Sequence, residues 1–187
     1  ISIVSHGDLV QVTNLLKSLL LCEEPKSLEI ILTDNLETNL PQFDPEPWAS
    51  LKILRNSRPK GFAKNQNQAF CQAEGEFFCI LNPDVVFTGP VFSALINQIF
   101  GRKPEANKTS KDGLIYPDWI AGIFLFMPGK IFKEIGGFDE RYWLYFEDAE
   151  LCIRAHLKKL NVAVDSNVSF QHKAQRASHI KLSFFFW

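Results

Sequence analysis

What the chain lacks narrows it first. No apolar run among its 187 residues approaches the roughly 20 needed to cross a bilayer, and no basic-then-apolar leader precedes the first apolar segment. The sequence therefore reads as a soluble domain. An excess of one charge is also missing: 20 Lys and Arg face 21 Asp and Glu, for a formal net charge of −1. A phosphate-backbone binder needs a basic surplus, so nucleic acid is not an expected partner. Cysteine is scarce. Cys22, Cys71, Cys79 and Cys152 form no CxxC pair and sit in apolar segments, where a free thiol behaves as a small hydrophobe, so a reducing, cytoplasmic compartment is expected. Internal repeats and low-complexity tracts are absent as well.

What is present suits one buried core: 46% of the residues are hydrophobic, and residues 1–187 read as a single domain. The chain opens at Ile1 within an apolar segment and closes on the apolar stretch Ser183 to Trp187, so it reads as a truncated piece. The polar, aperiodic Gly101–Asp118 reads as a mobile loop, and residues are expected to be missing there and near Ser178–Lys181.

Ile1–Ser5 reads as a buried strand, followed by a helix with Leu9, Val12, Leu16, Leu19 and Leu20 at helical spacing. Strands are expected at Leu28–Thr33, Leu51–Leu54 and Phe77–Leu81, with a helix carrying Phe62, Gln66, Ala69, Phe70 and Ala73 before the last of them. This alternation predicts an α/β fold, a mostly parallel sheet flanked by helices, with ligands bound beyond the carboxyl ends of the strands. His6, Asp34, Asn56 and Asp84 fall at those ends. Further on, Gly89-Pro90 opens a helix to about Phe100 with Pro near its first position, Trp119–Met127 reads as a strand, Pro128–Ile135 as a short helix and Glu147–Lys158 as a longer one.

Two carboxylate motifs carry candidate chemistry. Leu81-Asn82-Pro83-Asp84 places a carboxylate just past an apolar strand, where a hard cation such as Mg2+ or Mn2+ bridging a diphosphate would need it; the same residues also suit an Asx turn. Phe146-Glu147-Asp148 starts a helix, where acidic residues either cap free N–H groups or offer a base to a hydroxyl. His172 follows a short apolar stretch and either ligates the same cation or is a plain surface residue. His6 and Asp34-Asn35 either touch a nucleotide or serve as cap and turn.

In order along the chain, Ser2-Ile3-Val4-Ser5, Thr33-Asp34-Asn35, Asn56, Gly61-Phe62-Ala63, Asn67, Leu81-Asn82-Pro83-Asp84, Trp119-Ile120-Ala121-Gly122, Gly136 to Glu140, Phe146-Glu147-Asp148 with Leu151 and Arg154, and His172 resemble glycosyltransferase family 2 of the GT-A fold, in its bacterial rhamnosyltransferase-like branch. The resemblance spans nearly the whole chain and implies a metal-dependent, inverting transfer of a sugar from a nucleoside diphosphate. It assigns Ser5, His6, Asp34, Asn67, Asn82 and Asp84 to the donor, with Asp84 and His172 on Mg2+ or Mn2+. Asp148 becomes the catalytic base, and Trp119, Gly122 and Glu147 shape the sugar and acceptor pocket. The implied partners are a nucleotide-sugar donor (dTDP-rhamnose favoured, a UDP-sugar second) and a glycan or lipid-linked acceptor. The implied place is the cytoplasm, at the inner face of the cell membrane with peripheral association, in polysaccharide biosynthesis of the cell envelope. The sequence departs from the family pattern at Asn82, where many relatives carry Asp, in the short Phe100–Trp119 stretch, and at Lys159-Leu160-Asn161, which lacks the usual glycine.

Other classes fit less well. A noncatalytic nucleotide-sugar-binding or scaffolding domain of the same fold is the alternative reading, opposed by the intact Asp84, Asp148 and His172. A nucleotide-sugar pyrophosphorylase would carry a glycine-rich phosphate loop with an adjacent Arg near the start, and a Rossmann dehydrogenase a GxGxxG after the first strand; neither is present.

Overall fold

The computed structural model describes residues 1–37, 40–41, 43–100 and 113–172. Four apolar segments become strands β1 (Ser2–Ser5), β2 (Glu29–Asp34), β3 (Ser50–Arg55) and β4 (Phe77–Leu81), interleaved with helices α1 (Leu9–Cys22) and α2 (Phe62–Phe70). Strand β5 (Val85–Phe87) and helix α3 (Phe92–Phe100) follow, then β6 (Leu114–Ile115), β7 (Phe124–Pro128), α4 (Gly129–Glu134), α5 (Glu147–Leu157), β8 (Val164–Asp165) and β9 (Phe170–His172).

The main sheet has the order β3-β2-β1-β4-β7. Its first three pairings are parallel, and β4 pairs β7 in the opposite sense, Leu81 against Phe124. Because successive strand residues point to opposite faces, the sheet feeds two cores. Ile3, Ile30, Leu32, Cys79 and Leu81 join α1 and α3, whereas Ile31, Phe78 and Ile80 join the side of α2, α4 and α5.

The Asp8 carboxylate caps α1, accepting from the Gln11 amide at 3.1 Å. Helix α3 departs from expectation, since Pro90 lies two residues before it rather than at its first position. Proline offers no N–H, so the first available donors are Val91 and Phe92, and both reach Glu23 Oε1, at 2.6 and 3.3 Å. The expected strand over Trp119–Met127 forms only from Phe124 onward. Part of the expected Gly101–Asp118 loop is also ordered: Leu114 and Ile115 pair with Asp165 and Val164. Residues 101–112 and the proposed break at Ser178–Lys181 lie outside the described residues. Cys79 and Cys152 are buried as small hydrophobes should be, but Cys71 is exposed. Among the described residues no helix is long and apolar enough to cross a membrane.

Candidate active site

The strand ends gather the predicted residues. Ser5 pairs in register with Asp34, and Asp34 with Arg55, so three strands finish level. Just past them the chain is held by amides. Asn35 Nδ2 donates to the Lys60 carbonyl at 2.9 Å, while Asn35 Oδ1 accepts from Lys60 N at 2.9 Å and from Asn56 Nδ2 at 2.8 Å. Asn56 Nδ2 also reaches Asn65 Oδ1 at 2.7 Å. All three asparagines are buried, and they fix the loop that delivers the start of α2. Buried Asp34 accepts from the Leu40 amide at 3.5 Å, and Ser5 Oγ accepts from the Gly7 amide at 3.3 Å. His6 lies against this cluster, with Nδ1 3.5 Å from Asn35 Nδ2, and desolvation by the surrounding protein pushes its imidazole pKa down.

Asn67 is used elsewhere. Its Oδ1 accepts from Phe138 N at 2.9 Å, and its Nδ2 donates to Phe138 O at 2.9 Å and to Glu140 Oε1 at 3.1 Å. It clamps the Gly136–Glu140 turn, where Gly137 has φ +68 and a Cβ would lie 2.6 Å from Asn67 Oδ1. Both amide hydrogens of Asn67, to which the resemblance assigns a donor role, are thus engaged within the protein.

Beyond β4, Asn82 N donates to the Ile123 carbonyl at 2.9 Å, and Asp84 precedes β5. Strand β5 pairs with β9, setting Val85 opposite His172, so Asp84 Oδ2 and His172 Nε2 stand 3.1 Å apart although they are 88 positions apart in sequence. Asp84 Oδ1 is buried and has no protein partner. An orphaned carboxylate oxygen beside an imidazole nitrogen is a donor set that fits a divalent cation such as Mn2+. Among the described residues no three His, Cys, Asp or Glu side chains cluster as a metal group, so the remaining ligands of such an ion would come from diphosphate and water.

The second carboxylate motif reaches the same place through one segment. Residues 118–122 run along α5, with His156 Nε2 2.9 Å from the Asp118 carbonyl and the Gly122 amide donating to Asp148 Oδ2 at 2.9 Å. Gly122 adjoins Ile123, whose carbonyl holds Asn82, so Asp148 and Asp84 flank one short stretch of backbone. On the other side, Phe62 N donates to the Trp143 carbonyl at 2.9 Å, and a Cβ on Gly61 would lie 2.6 Å from that same oxygen. The close approach requires glycine. The chain then enters α5 through Tyr145 and Phe146, both left-handed at φ 70 and 69, at a cost of about 1–2 kcal/mol each. Trp119 and Trp143 are both exposed.

Glu147 and Asp148 divide in character. Asp148 is partly open, and its two oxygens accept from the amides of Gly122 and Ala149 at 2.9 and 2.8 Å, which fixes its orientation. Glu147 is 5% exposed, and its Oε2 has no partner. Burial pushes its carboxyl up to about 7, opposed by its own backbone amide and reinforced by the Asp148 charge. Folded Glu147 holds a proton that the unfolded chain releases near pH 4.3, so stability should fall as pH rises from about 4.3 to about 7. Thermal denaturation across that window should show Glu147→Gln flattening the decline and melting above the parent at pH 8. A parent-like slope in the variant would remove Glu147 as its source.

Comparison with known proteins bears on the fold and on the class of reaction. No family model matches the chain. It is 25% identical to the rhamnosyltransferase WbbL of Escherichia coli K12 over 99% of this chain and 86% of that protein. It is 38% identical over 68 residues to the N-acetylglucosaminyl-diphospho-decaprenol L-rhamnosyltransferase of Mycobacterium tuberculosis, covering 33% of this chain and 22% of that one. The mannosyltransferase PcManGT of Pyrobaculum calidifontis, solved with GDP-Man and Mn2+, superposes with TM-score 0.68 at 15% identity, over 96% of this chain and 58% of that one. TarS of S. aureus superposes with TM-score 0.67 at 16% identity, over 92% of this chain and 36% of that one. The fold is GT-A. Similarity to rhamnosyltransferases on a GT-A scaffold supports a glycosyl-transfer function.

The Asn35–Asn56–Asn65 lattice and the Gly122 tether on Asp148 were not foreseen as parts of this GT-A edge. A faint signal existed for the lattice, in the asparagine and glutamine residues that interrupt the buried face of α2.

Proposed function

We propose that this chain is one GT-A domain of glycosyltransferase family 2, transferring a sugar with inversion from a nucleoside diphosphate to an acceptor hydroxyl. dTDP-rhamnose is the favoured donor and a UDP-sugar the second. The observation that carries the reading is the meeting of the Asp84–His172 pair and the Glu147-Asp148 pair across Gly122 and Ile123. Asp34, Ser5 and His6 line the strand ends where the nucleotide would lie, and Asn82 and Asp84 face its diphosphate.

Asp84 and His172 would hold Mg2+ or Mn2+, which when bound offsets the charge of the diphosphate. Partly open Asp148, aimed by two amides, takes the proton of the acceptor hydroxyl as that oxygen bonds to the anomeric carbon. The carbon–oxygen bond to the diphosphate breaks with its electron pair leaving on phosphate, and attack from the opposite face inverts the centre. Glu147, buried and protonated near neutrality, donates to the acceptor and positions it. Trp119 and Gly122 bound the space where donor sugar and acceptor meet.

The mycobacterial relative is named for a decaprenol-linked substrate, which supports a lipid-linked glycan as acceptor here, and with it a cytoplasmic site at the membrane. A panel of nucleotide sugars in thermal-shift titration, with and without Mn2+, tests the reading. The true donor at about 100 times its dissociation constant should stabilise the fold by about 2.7 kcal/mol, more strongly with metal. A panel in which no nucleotide sugar shifts the melting temperature would overturn it.

A further inference from the structure

Helix α5 is apolar on two opposite sides. Leu151, Cys152 and Ala155 face the core, His156 and Asp148 face the 118–122 segment, and Arg154 turns toward the Ile135 carbonyl while pairing with Glu150 at 2.6 Å. The remaining side carries Phe146, Ile153 and Leu157. Ile153 and Leu157, four residues apart, share one line of the helix, Phe146 stands just before its first turn, and the three are 57%, 78% and 73% exposed. Isolated exposed apolar residues need no explanation, but a helical ridge of them does.

We propose that this ridge docks the protein onto an anionic lipid bilayer, with Trp119, Trp143 and Tyr145 seated at the headgroup level. The idea that the bilayer delivers the acceptor rests on the function proposed above. The surrounding chemistry selects lipid over a protein partner. Of the three tryptophans among the described residues, Trp48 is in the core, and the other two are exposed, Trp143 ahead of this helix and Trp119 in the segment that passes its C-terminal half at His156. Tryptophan and tyrosine favour a boundary that is apolar on one side and wet on the other. Exposed Lys158 and Lys159 follow Leu157 directly, giving the end of the ridge a charge complementary to anionic headgroups. The ridge also begins at the residue preceding Glu147, so a helix seated this way carries its reactive end to the membrane surface.

Sedimentation with vesicles of phosphatidylcholine, with and without phosphatidylglycerol, tests the surface. The parent chain should bind vesicles containing phosphatidylglycerol and release as salt rises. Ile153→Ser/Leu157→Ser should weaken that partition on the order of 10- to 100-fold. Its melting temperature and its rate of donor hydrolysis in the absence of lipid should match the parent, because both side chains face solvent. Failure of the parent to bind, or equal binding by the double variant, overturns the proposal. So does a concentration-dependent dimer that the double variant dissolves, which would make a second copy the occupant. Donor hydrolysis without vesicle binding sinks this surface and leaves the transferase reading standing, whereas vesicle binding as expected with no hydrolysis of any nucleotide sugar supports the surface and sinks the reading.

Discussion

Asp148→Asn should lower sugar transfer on the order of 100- to 10,000-fold while the protein stays folded and still binds its donor. The two amides that aim Asp148 make the test sharper. An asparagine oxygen keeps one of the bonds from Gly122 and Ala149, but its NH2 group meets the other amide as donor against donor. A purely structural Asp148 would therefore show its loss in stability, by about 1–3 kcal/mol, with turnover nearly intact. A base shows its loss in turnover, equivalent to about 3–5 kcal/mol of barrier, beyond any shift in melting. Glu147→Gln is the control. It should raise the Michaelis constant for the acceptor more than it lowers turnover, because Glu147 is assigned to positioning. If Glu147→Gln is inactive while Asp148→Asn transfers at the parental rate, the base is the buried neighbour with the raised pKa. If both variants transfer normally, the mechanism is wrong.

Asp84→Ala is expected to abolish the strengthening of nucleotide-sugar binding by Mn2+ and to reduce turnover per unit of donor on the order of 100-fold or more. Calorimetric titration of the nucleoside diphosphate with and without Mn2+ reads the first effect without any catalysis. The substitution should not unfold the protein. Asp84 Oδ1 has no protein partner, and its other oxygen meets only a partly exposed imidazole, so removing the carboxylate strands no buried donor. A gain in stability beside a loss of metal response would mark an oxygen kept buried for its ligand. Mn2+ that still tightens diphosphate binding to Asp84→Ala would be held by other groups.

The layered α/β plan was legible because its signals are local. Phe77–Leu81 is a strand over the expected residues, and the expected spacing finds buried Val12, Leu16 and Leu19 on α1 and Gln66 and Ala69 on α2, although Leu9 and Leu20 are exposed. The direction of β7 was not legible, since no residue within the strand distinguishes an antiparallel from a parallel pairing with β4. The meeting of Asp84 and His172 was expected as a shared cation site, but the β5–β9 pairing of two distant strands of three residues each that makes it was not legible. The fate of Asn67 was hidden for a related reason: an asparagine on a helix reads alike whether it faces a ligand or clamps a turn. The raised pKa of Glu147 was equally hidden, since sequence places two carboxylates side by side but does not say which one is shielded from water.

The backbone joining Gly122 to Ile123 serves two masters. Its amide at Gly122 holds Asp148, and its carbonyl at Ile123 holds the residue before Pro83. Asn82 and Asp148 are therefore joined through two hydrogen bonds and the backbone of two residues. Thermodynamic reciprocity then applies: whatever factor the first substrate adds to the affinity of the second, the second returns in equal measure to the first. Any such coupling belongs to the backbone that Gly122 and Ile123 share, and not to either pocket alone.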